Sequence, residues 1–404
     1  RGPDHDGAHY HPLFQLQLVG LNGAFLTGDL FNLFVFFEIL LIASYCLLLH
    51  GAGPDRLRAG VHYVVLNLAG SALFLIGVGG LYGLTGTLNM ADMAQRVAEL
   101  GSADAGLVRS AGLLLLVVFG LKAAVVPLYF WLPSAYAAAS APVAALFAIM
   151  TKVGVYAIVR VYTLVFGPEA GVAANLAGPW LLPIALVTVV LGSLGALAAR
   201  ELRRMQGYLL IASVGVMLGA MALARADAIA AGLYYMVHST VAMAAMFLLA
   251  DLVGRSRGDR DDLLVGRGPV IPSATLAVLF FTGAVAAVGL PPLSGFLGKA
   301  LILDAALEAG GTAWVWSIVL ASSFVALLGL GRAGALLFWD VDADATAAPA
   351  DPPRAADLVP AAGLLAVILL LTVAAGPVTD YVRSTADDLL GREPYIGAVL
   401  GGDR

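Results

Sequence analysis

Residues 119–161 read FGLKAAVVPLYFWLPSAYAAASAPVAALFAIMTKVGVYAIVRV, and this stretch decides the fold. It sets Lys122 and Lys152 inside two long apolar runs, on either side of a segment punctuated by Pro127, Pro133 and Pro142. Proline brings no backbone donor and breaks the helical ladder, which a bilayer tolerates only where protein or water satisfies the freed groups. An ammonium near mid-bilayer costs about 3 kcal/mol on insertion scales and more in simulations, so it is kept for a reason. A broken helix beside a buried lysine points to a hydrated path through a membrane-spanning bundle.

Composition agrees. The chain has 404 residues, 60% hydrophobic and 12% charged, with a mean hydropathy of +0.92. Soluble domains are about half apolar and about a quarter charged. Repeated apolar runs of about 20 residues without strand-type alternation select helices over a barrel, so the fold class is an all-α polytopic membrane protein. The net charge of -5 says little about partners, because the charges sit almost entirely in loops. The single cysteine, Cys46, lies in an apolar run and excludes a disulfide framework or a Cys-based metal site within the chain. No motif for nucleotide, haem, iron-sulfur or flavin is present, so no cofactor and no enzymatic activity are expected, nor is nucleic-acid binding. Residue 1 is Arg and no signal-peptide pattern precedes the first hydrophobic run, so the N-terminus of a longer protein is expected to be missing.

The lysines are confined. Lys122, Lys152 and Lys299 are the only ones, and all three fall in apolar segments, whereas most arginines lie in loops or at helix ends. Lysine is a compact point charge that releases its proton when desolvated, so it is placed where a proton can come and go. Snorkelling lysines at helix ends are the bland alternative. Lys122 and Lys152 speak against it, each having apolar residues over more than two turns on at least one side.

In chain order, a polar leader (1–11) precedes helices at about 12–27 and 29–49. The second carries Glu38 at its centre, where a buried carboxylate has to be paired or protonated. A helix at about 60–84 contains Asn67, and 86–106 reads as a short amphipathic element outside the membrane. The helix with Lys122 breaks at Pro127, and the next, at about 142–166, aligns Lys152, Tyr156 and Arg160 on one face. Further helices fall at about 179–198, 204–224 and 228–253, the last bearing His238, whose two ring nitrogens can relay a proton. The loop GRSRGDRDDLLVGRG (254–268) is read as solvated, a topology anchor.

Residues 270–308 repeat the opening design, with Gly289, Pro291, Pro292 and Gly295 interrupting a helix just before Lys299. Two Pro/Gly-broken, lysine-bearing segments, one in each half, are the pointer to a transporter of two inverted repeats. The repeats are placed at 12–166 and 179–340, about five helices each, followed by an acidic Pro-rich linker (341–358) and a last helix with a short tail (359–404). Counting alternate loops, Arg56, Arg58, Arg200, Arg203, Arg204, Arg255, Arg257, Arg260, Arg267 and Arg354 fall on one side, against Arg96, Arg109 and Arg225. The richer side is expected to face the cytoplasm, leaving the C-terminus outside.

DLFNLFVFFEILLIASY, GLKAAVVPLYFWLP, SAPVAALFAIMTKVGVYAIVRVYTLVFG, HSTVAMAAMFLLADL and GLPPLSGFLGKALIL together resemble the proton-translocating antiporter-like superfamily. That superfamily includes the antiporter-like subunits of respiratory complex I and the large subunits of Mrp-type multisubunit cation/proton antiporters; the resemblance is nearest to the D-type large subunit of the Mrp antiporters. It implies about 14 helices in a whole member, of which this chain would hold about 11. It also implies a multi-pass protein of the bacterial cell (inner) membrane that works with other membrane subunits, the lipid bilayer, protons and a monovalent cation. The proton-path residues it implies are Glu38, Lys122, Lys152, His238 and Lys299. Two departures stand out. Met243 occupies a position where many members have a lysine, and Tyr129 and Ser134 stand where relatives carry a His or an acid.

Three functions follow as alternatives. The first is the proton-conducting subunit of an Na+/H+ antiporter; the second, a proton-pumping subunit of complex I or a membrane-bound hydrogenase. A passive membrane scaffold is the third, and it has no use for three buried lysines. In the first two, Glu38 and Lys122 are expected to form an ion pair whose opening and closing captures and ejects a proton. Which cation is exchanged, and where it binds, is left unassigned.

Overall fold

The computed structural model describes residues 7–258, 261–265, 274–309, 312–340 and 353–401. Most of the leader, most of the acidic linker, and Arg260 and Arg267 lie outside the described residues. Helices α1 (Tyr10–Leu26), α2 (Leu30–Leu49), α3 (Pro54–Thr85), α4 (Met90–Glu99), α5 (Ala105–Ala123), α6 (Trp131–Ala138), α7 (Ala141–Phe147) and α8 (Met150–Leu164) form the first half. They are followed by α9 (Gly178–Ala198), α10 (Leu202–Met221), α11 (Ala226–Arg257), α12 (Ala274–Val288), α13 (Ser294–Leu307), α14 (Thr312–Phe338), α15 (Ala355–Val373), α16 (Ala375–Leu390) and α17 (Arg392–Leu400). Among the described residues nine helical spans are long and apolar enough to cross a membrane. The 17-residue α1 and the broken pair α12–α13 complete the expected set of about eleven.

The chain divides into two compact units. The first comprises residues 1–131, 150–183 and 383–404; the second, residues 132–149 and 184–382. In the first, α1 packs on α2, α2 on α3, α3 on α5, α5 on α8, and α8 back on α1, so the spanning helices close a ring. Close approach needs small residues here: a Cβ on Gly154 of α8 would lie 2.5 Å from the Ala123 nitrogen at the end of α5. The short α4 has its capping asparagine, Asn89, accepting from the Ala91 and Asp92 amides, and it packs on α17, so the tail is helical rather than irregular. Arg392 of that tail pairs with Glu169 at 2.5 Å, and the Tyr395 ring covers the Arg160 guanidinium at 4.0 Å.

In the second unit α11 is the hub, packed against α7, α10, α12, α13 and α15. At its C-terminal end the reading of a solvated loop is corrected in part: among the described residues Arg257, Asp262 and Leu264 are buried, whereas Arg255, Asp261, Leu263 and Val265 are exposed. Arg257 is only 3% exposed and donates to the carbonyls of Asp261, Leu263 and Val265, folding the loop back onto the bundle. The Asp262 carbonyl accepts from the Leu202 amide and its carboxylate from the Arg203 amide at 2.6 Å. Asp262 therefore caps α10 from a distant part of the chain, whose own N-cap, Glu201, makes no side-chain cap bond. Burial pushes the Asp262 carboxyl upward, against the pull of Arg203. Asp262→Ala is expected to cost about 1 kcal/mol and Asp262→Asn only a few tenths, because an amide oxygen caps as well as a carboxylate. Thermal unfolding of the purified protein in detergent checks the pair; equal losses would remove capping as the explanation.

Candidate functional site

Both helix breaks are built from the same elements. In the first unit α5 ends where Ala124 takes a left-handed conformation (φ 57) three residues ahead of Pro127. Its last carbonyls are not left bare: Gly120 accepts from the Val125 amide at 3.0 Å and Leu121 from the Trp131 indole at 3.2 Å. In the second unit α12 ends at Gly289, whose φ of 81 suits glycine, and Pro291 and Pro292 follow. Two carbonyls at this end meet residues singled out from sequence. His238 Nε2 meets the Ala286 oxygen at 3.1 Å, and the Lys299 ammonium donates to the Val288 oxygen at 2.8 Å. The Ala286 oxygen also accepts from the Gly289 amide at 3.1 Å, so His238 is a second partner to it; an orphan carbonyl in the hydrocarbon region costs several kcal/mol, and at Val288 it is the Lys299 ammonium that supplies the bond.

Glu38, Lys122 and Lys152 all lie in the first unit. The Lys122 ammonium, 4% exposed, donates to the Asn67 carbonyl and to the Ser71 hydroxyl, each at 3.2 Å. Ser71 in turn donates to Glu38 Oε1. The expected pair is thus bridged by Ser71 of α3, a chain Lys122–Ser71–Glu38 through which a proton can be handed. Sequence reading passed over Ser71, although it stands one helical turn beyond Asn67 on an otherwise apolar face. Beside it, Ser44 and Tyr63 share a hydrogen bond of 2.7 Å, and the Tyr63 ring stacks on Trp131 at 5.0 Å. Lys152 differs from the others: it is 1% exposed and its ammonium has no hydrogen-bond partner among the described residues.

His238 and Lys299 lie in the second unit. His238 is 1% exposed, with Nδ1 2.8 Å from the Ser294 hydroxyl at the start of α13. A carbonyl cannot donate, so the Ala286 contact places a proton on Nε2 and leaves Nδ1 to accept from Ser294 when the ring is neutral. Ser294 also lies 3.4 Å from the Ile368 carbonyl, a second acceptor to which its hydroxyl can turn when Nδ1 is protonated. Lys299 donates to Ser323 of α14 at 2.8 Å. Ser294 and Ser323, like Ser71, are serines that sequence reading did not single out. Met243 is 3% exposed and packed in α11, offering no titratable group at that position.

Among the described residues no group of three or more His, Cys, Asp or Glu is placed to hold a metal ion. A cavity of about 600 Å³ between α12 and α14 is lined by Ala274, Val278, Phe281, Val285, Pro292 and Trp339 among others, and only Pro292 belongs to the site described.

A family profile described as "NADH:quinone oxidoreductase/Mrp antiporter, TM" matches residues 27–328. A probable K(+)/H(+) antiporter D-type subunit of Rhizobium meliloti is 42% identical, over 98% of this chain and 78% of its own length. The Na(+)/H(+) antiporter D-type subunit of Bacillus subtilis is 40% identical, over 99% of this chain and 79% of its own. Among solved structures, a chain of the Mrp complex from Dietzia sp. matches with a TM-score of 0.82 at 29% identity, covering 96% of this chain and 79% of that one. A chain of the archaeal membrane-bound sulfane sulfur reductase matches with a TM-score of 0.84 at 28% identity, over 96% and 77%.

Proposed function

The chain belongs to the NADH:quinone oxidoreductase/Mrp antiporter family of membrane proteins, and from that premise we propose that it is the proton-conducting D-type subunit of a multisubunit Na+ or K+/H+ antiporter. The observation that carries the reading is that Lys122, Lys299 and His238, all buried, each meet a serine hydroxyl: Ser71, Ser323 and Ser294 respectively. Protons move along the series Glu38, Lys122, Lys152, His238, Lys299. Each station has two protonation states whose balance is set by nearby charge and by desolvation, so a transfer at one alters the field at the next. Movement inward is coupled to extrusion of the monovalent cation in the assembled complex. We also propose residues 12–166 and 179–340 as the two inverted repeats, each contributing one broken helix. The protein's work is transport, with redox chemistry left to the partners in the complex I reading.

The relatives named as D-type antiporter subunits favour the antiporter over a redox-driven complex. Purification of the tagged protein from its own membranes is expected to bring down small antiporter subunits; recovery with redox subunits instead would replace this reading by the alternative. His238→Ala is expected to lower cation-driven proton exchange in everted vesicles by at least about tenfold, with the amount of assembled complex unchanged. Unaltered exchange would remove His238 from the path.

A further inference from the structure

One end of the first unit is closed by a layer of chain. Residues 28–30 and 88–90 join there, the Leu30 amide donating to the Leu88 carbonyl at 2.9 Å and the Met90 amide to the Gly28 carbonyl at 2.8 Å. α4 continues the layer, packed on residues 171–173 and on α17. This end lies opposite the α2–α3 turn that leads to Arg56 and Arg58. α17 is pinned in place by Arg392, which pairs with Glu169 and donates to the Leu164 carbonyl at the end of α8 at 3.4 Å, and by Ile396, which is 2% exposed.

One cation beneath this layer has no anion. Arg96 pairs with Asp92 at 3.1 Å and Arg392 with Glu169, whereas among the described residues no carboxylate pairs with Arg160, and its Nε is buried without a hydrogen-bond partner. What covers the Arg160 guanidinium is the Tyr395 ring of α17, its centroid 4.0 Å away, a cation–π contact. The same tyrosine reaches the α1–α2 turn: a Cβ on Gly28 would stand 2.7 Å from its hydroxyl. One turn below Arg160, Tyr156 ties α8 to α1 by donating to the Phe25 carbonyl at 2.9 Å. Lys152, Tyr156 and Arg160 follow one another at four-residue spacing, so Arg160 stands about 12 Å from Lys152 on the same face, toward the layer. A guanidinium drawn out of water is ordinarily neutralised, because desolvating a lone charge is costly. Arg160 keeps its field, and a fixed positive charge in a narrow mouth turns cations back while letting anions approach.

We propose that Arg160 is a charge barrier against cations at this end of the first unit, and that α17 is the lid that holds it there through Tyr395. A proton arriving at Lys152 is thereby denied an exit on that side. This consequence rests on Lys152 being a station of the path, whereas the barrier and the lid do not.

In a Cys46→Ser background, a Tyr156→Cys thiol in the assembled complex in detergent is expected to react at least about tenfold faster with an anionic methanethiosulfonate than with a cationic one of similar size, each rate taken relative to that with a free thiol in solution. Arg160→Gln is expected to erase the preference and Arg160→Lys to keep it. A preference that is absent, or that survives in Arg160→Gln, overturns the barrier. Tyr395→Ala is expected to speed both reagents at least about fivefold, since it uncovers the mouth; unchanged rates overturn the lid. In vesicles without a gradient of Na+ or K+, Arg160→Gln is expected to raise passive proton leak at least about threefold, with the amount of assembled complex unchanged. An unchanged leak alongside a lost charge preference overturns the denied exit from Lys152 and leaves the barrier standing. If Tyr156→Cys does not assemble, the leaks decide: a rise in Arg160→Gln but not in Arg160→Lys supports the barrier, and equal leaks overturn it.

Discussion

Lys122→Ala is expected to abolish cation-driven proton exchange, by about a hundredfold or more, in everted vesicles containing normal amounts of assembled complex. The size follows from what the ammonium does: among the described residues it is the only titratable cation bonded to the Ser71 hydroxyl that reaches Glu38. Lys122→Arg is expected to fail almost as completely, since a guanidinium keeps the positive charge but does not release its proton. Ser71→Ala separates conduction from charge. It leaves both charges in place and removes the bridge, so an intermediate loss of about tenfold is expected if the proton crosses through the hydroxyl. Exchange by Lys122→Ala at the rate of the unmodified protein would refute the reading, and Ser71→Ala without effect would show that the pair communicates directly.

Gly295→Ala is expected to be nearly as damaging, although it adds one methyl group and touches no charge. A Cβ there would overlap the Ala286 carbonyl oxygen and stand 2.6 Å from His238 Nε2, the two atoms that meet at the end of α12. Neither has room to yield: one is backbone and the other is held on its far side by Ser294. Overpacking of this kind costs about 1–3 kcal/mol in stability, and here it takes from the His238 Nε2 proton the carbonyl that accepts it. Gly298→Ala is the milder comparison, because its Cβ would come no nearer than 3.0 Å to a neighbour, the Tyr235 ring, and meets neither His238 nor the Ala286 carbonyl. Exchange and melting temperature of the two variants should differ, with Gly295→Ala losing most of its transport; equal behaviour would mean that the contact at His238 does not matter.

Much of the site was legible because the membrane makes polar residues conspicuous. Lys122, Lys152, Lys299, Glu38 and His238 stand out of apolar runs as they never would in a soluble chain, and Pro127, Gly289, Pro291 and Pro292 mark the breaks. Ser71, Ser294 and Ser323 were not legible for the opposite reason. A serine in a spanning helix bonds its own backbone at little cost, as Ser213 and Ser256 do, so its presence alone signals nothing. Only the neighbouring helix decides whether the hydroxyl also meets a charge, as that of Ser323, bonded to its own Val319 carbonyl, meets Lys299. Arg257 was misread for a related reason: in a loop crowded with like residues, sequence shows no difference between a solvated arginine and one that collects three carbonyls.

By itself the sequence determined the membrane class, the succession of spanning helices, the two breaks and the buried charges, because each is a local consequence of a residue's transfer cost and backbone chemistry. Tertiary structure decided the connections: Ser71 between Lys122 and Glu38, His238 between Ser294 and the Ala286 carbonyl, and Lys299 between Ser323 and the Val288 carbonyl. Those depend on which helix faces are pressed together, and hydrogen bonds of about 3 Å are set by such contacts between distant parts of the chain rather than by spacing within it.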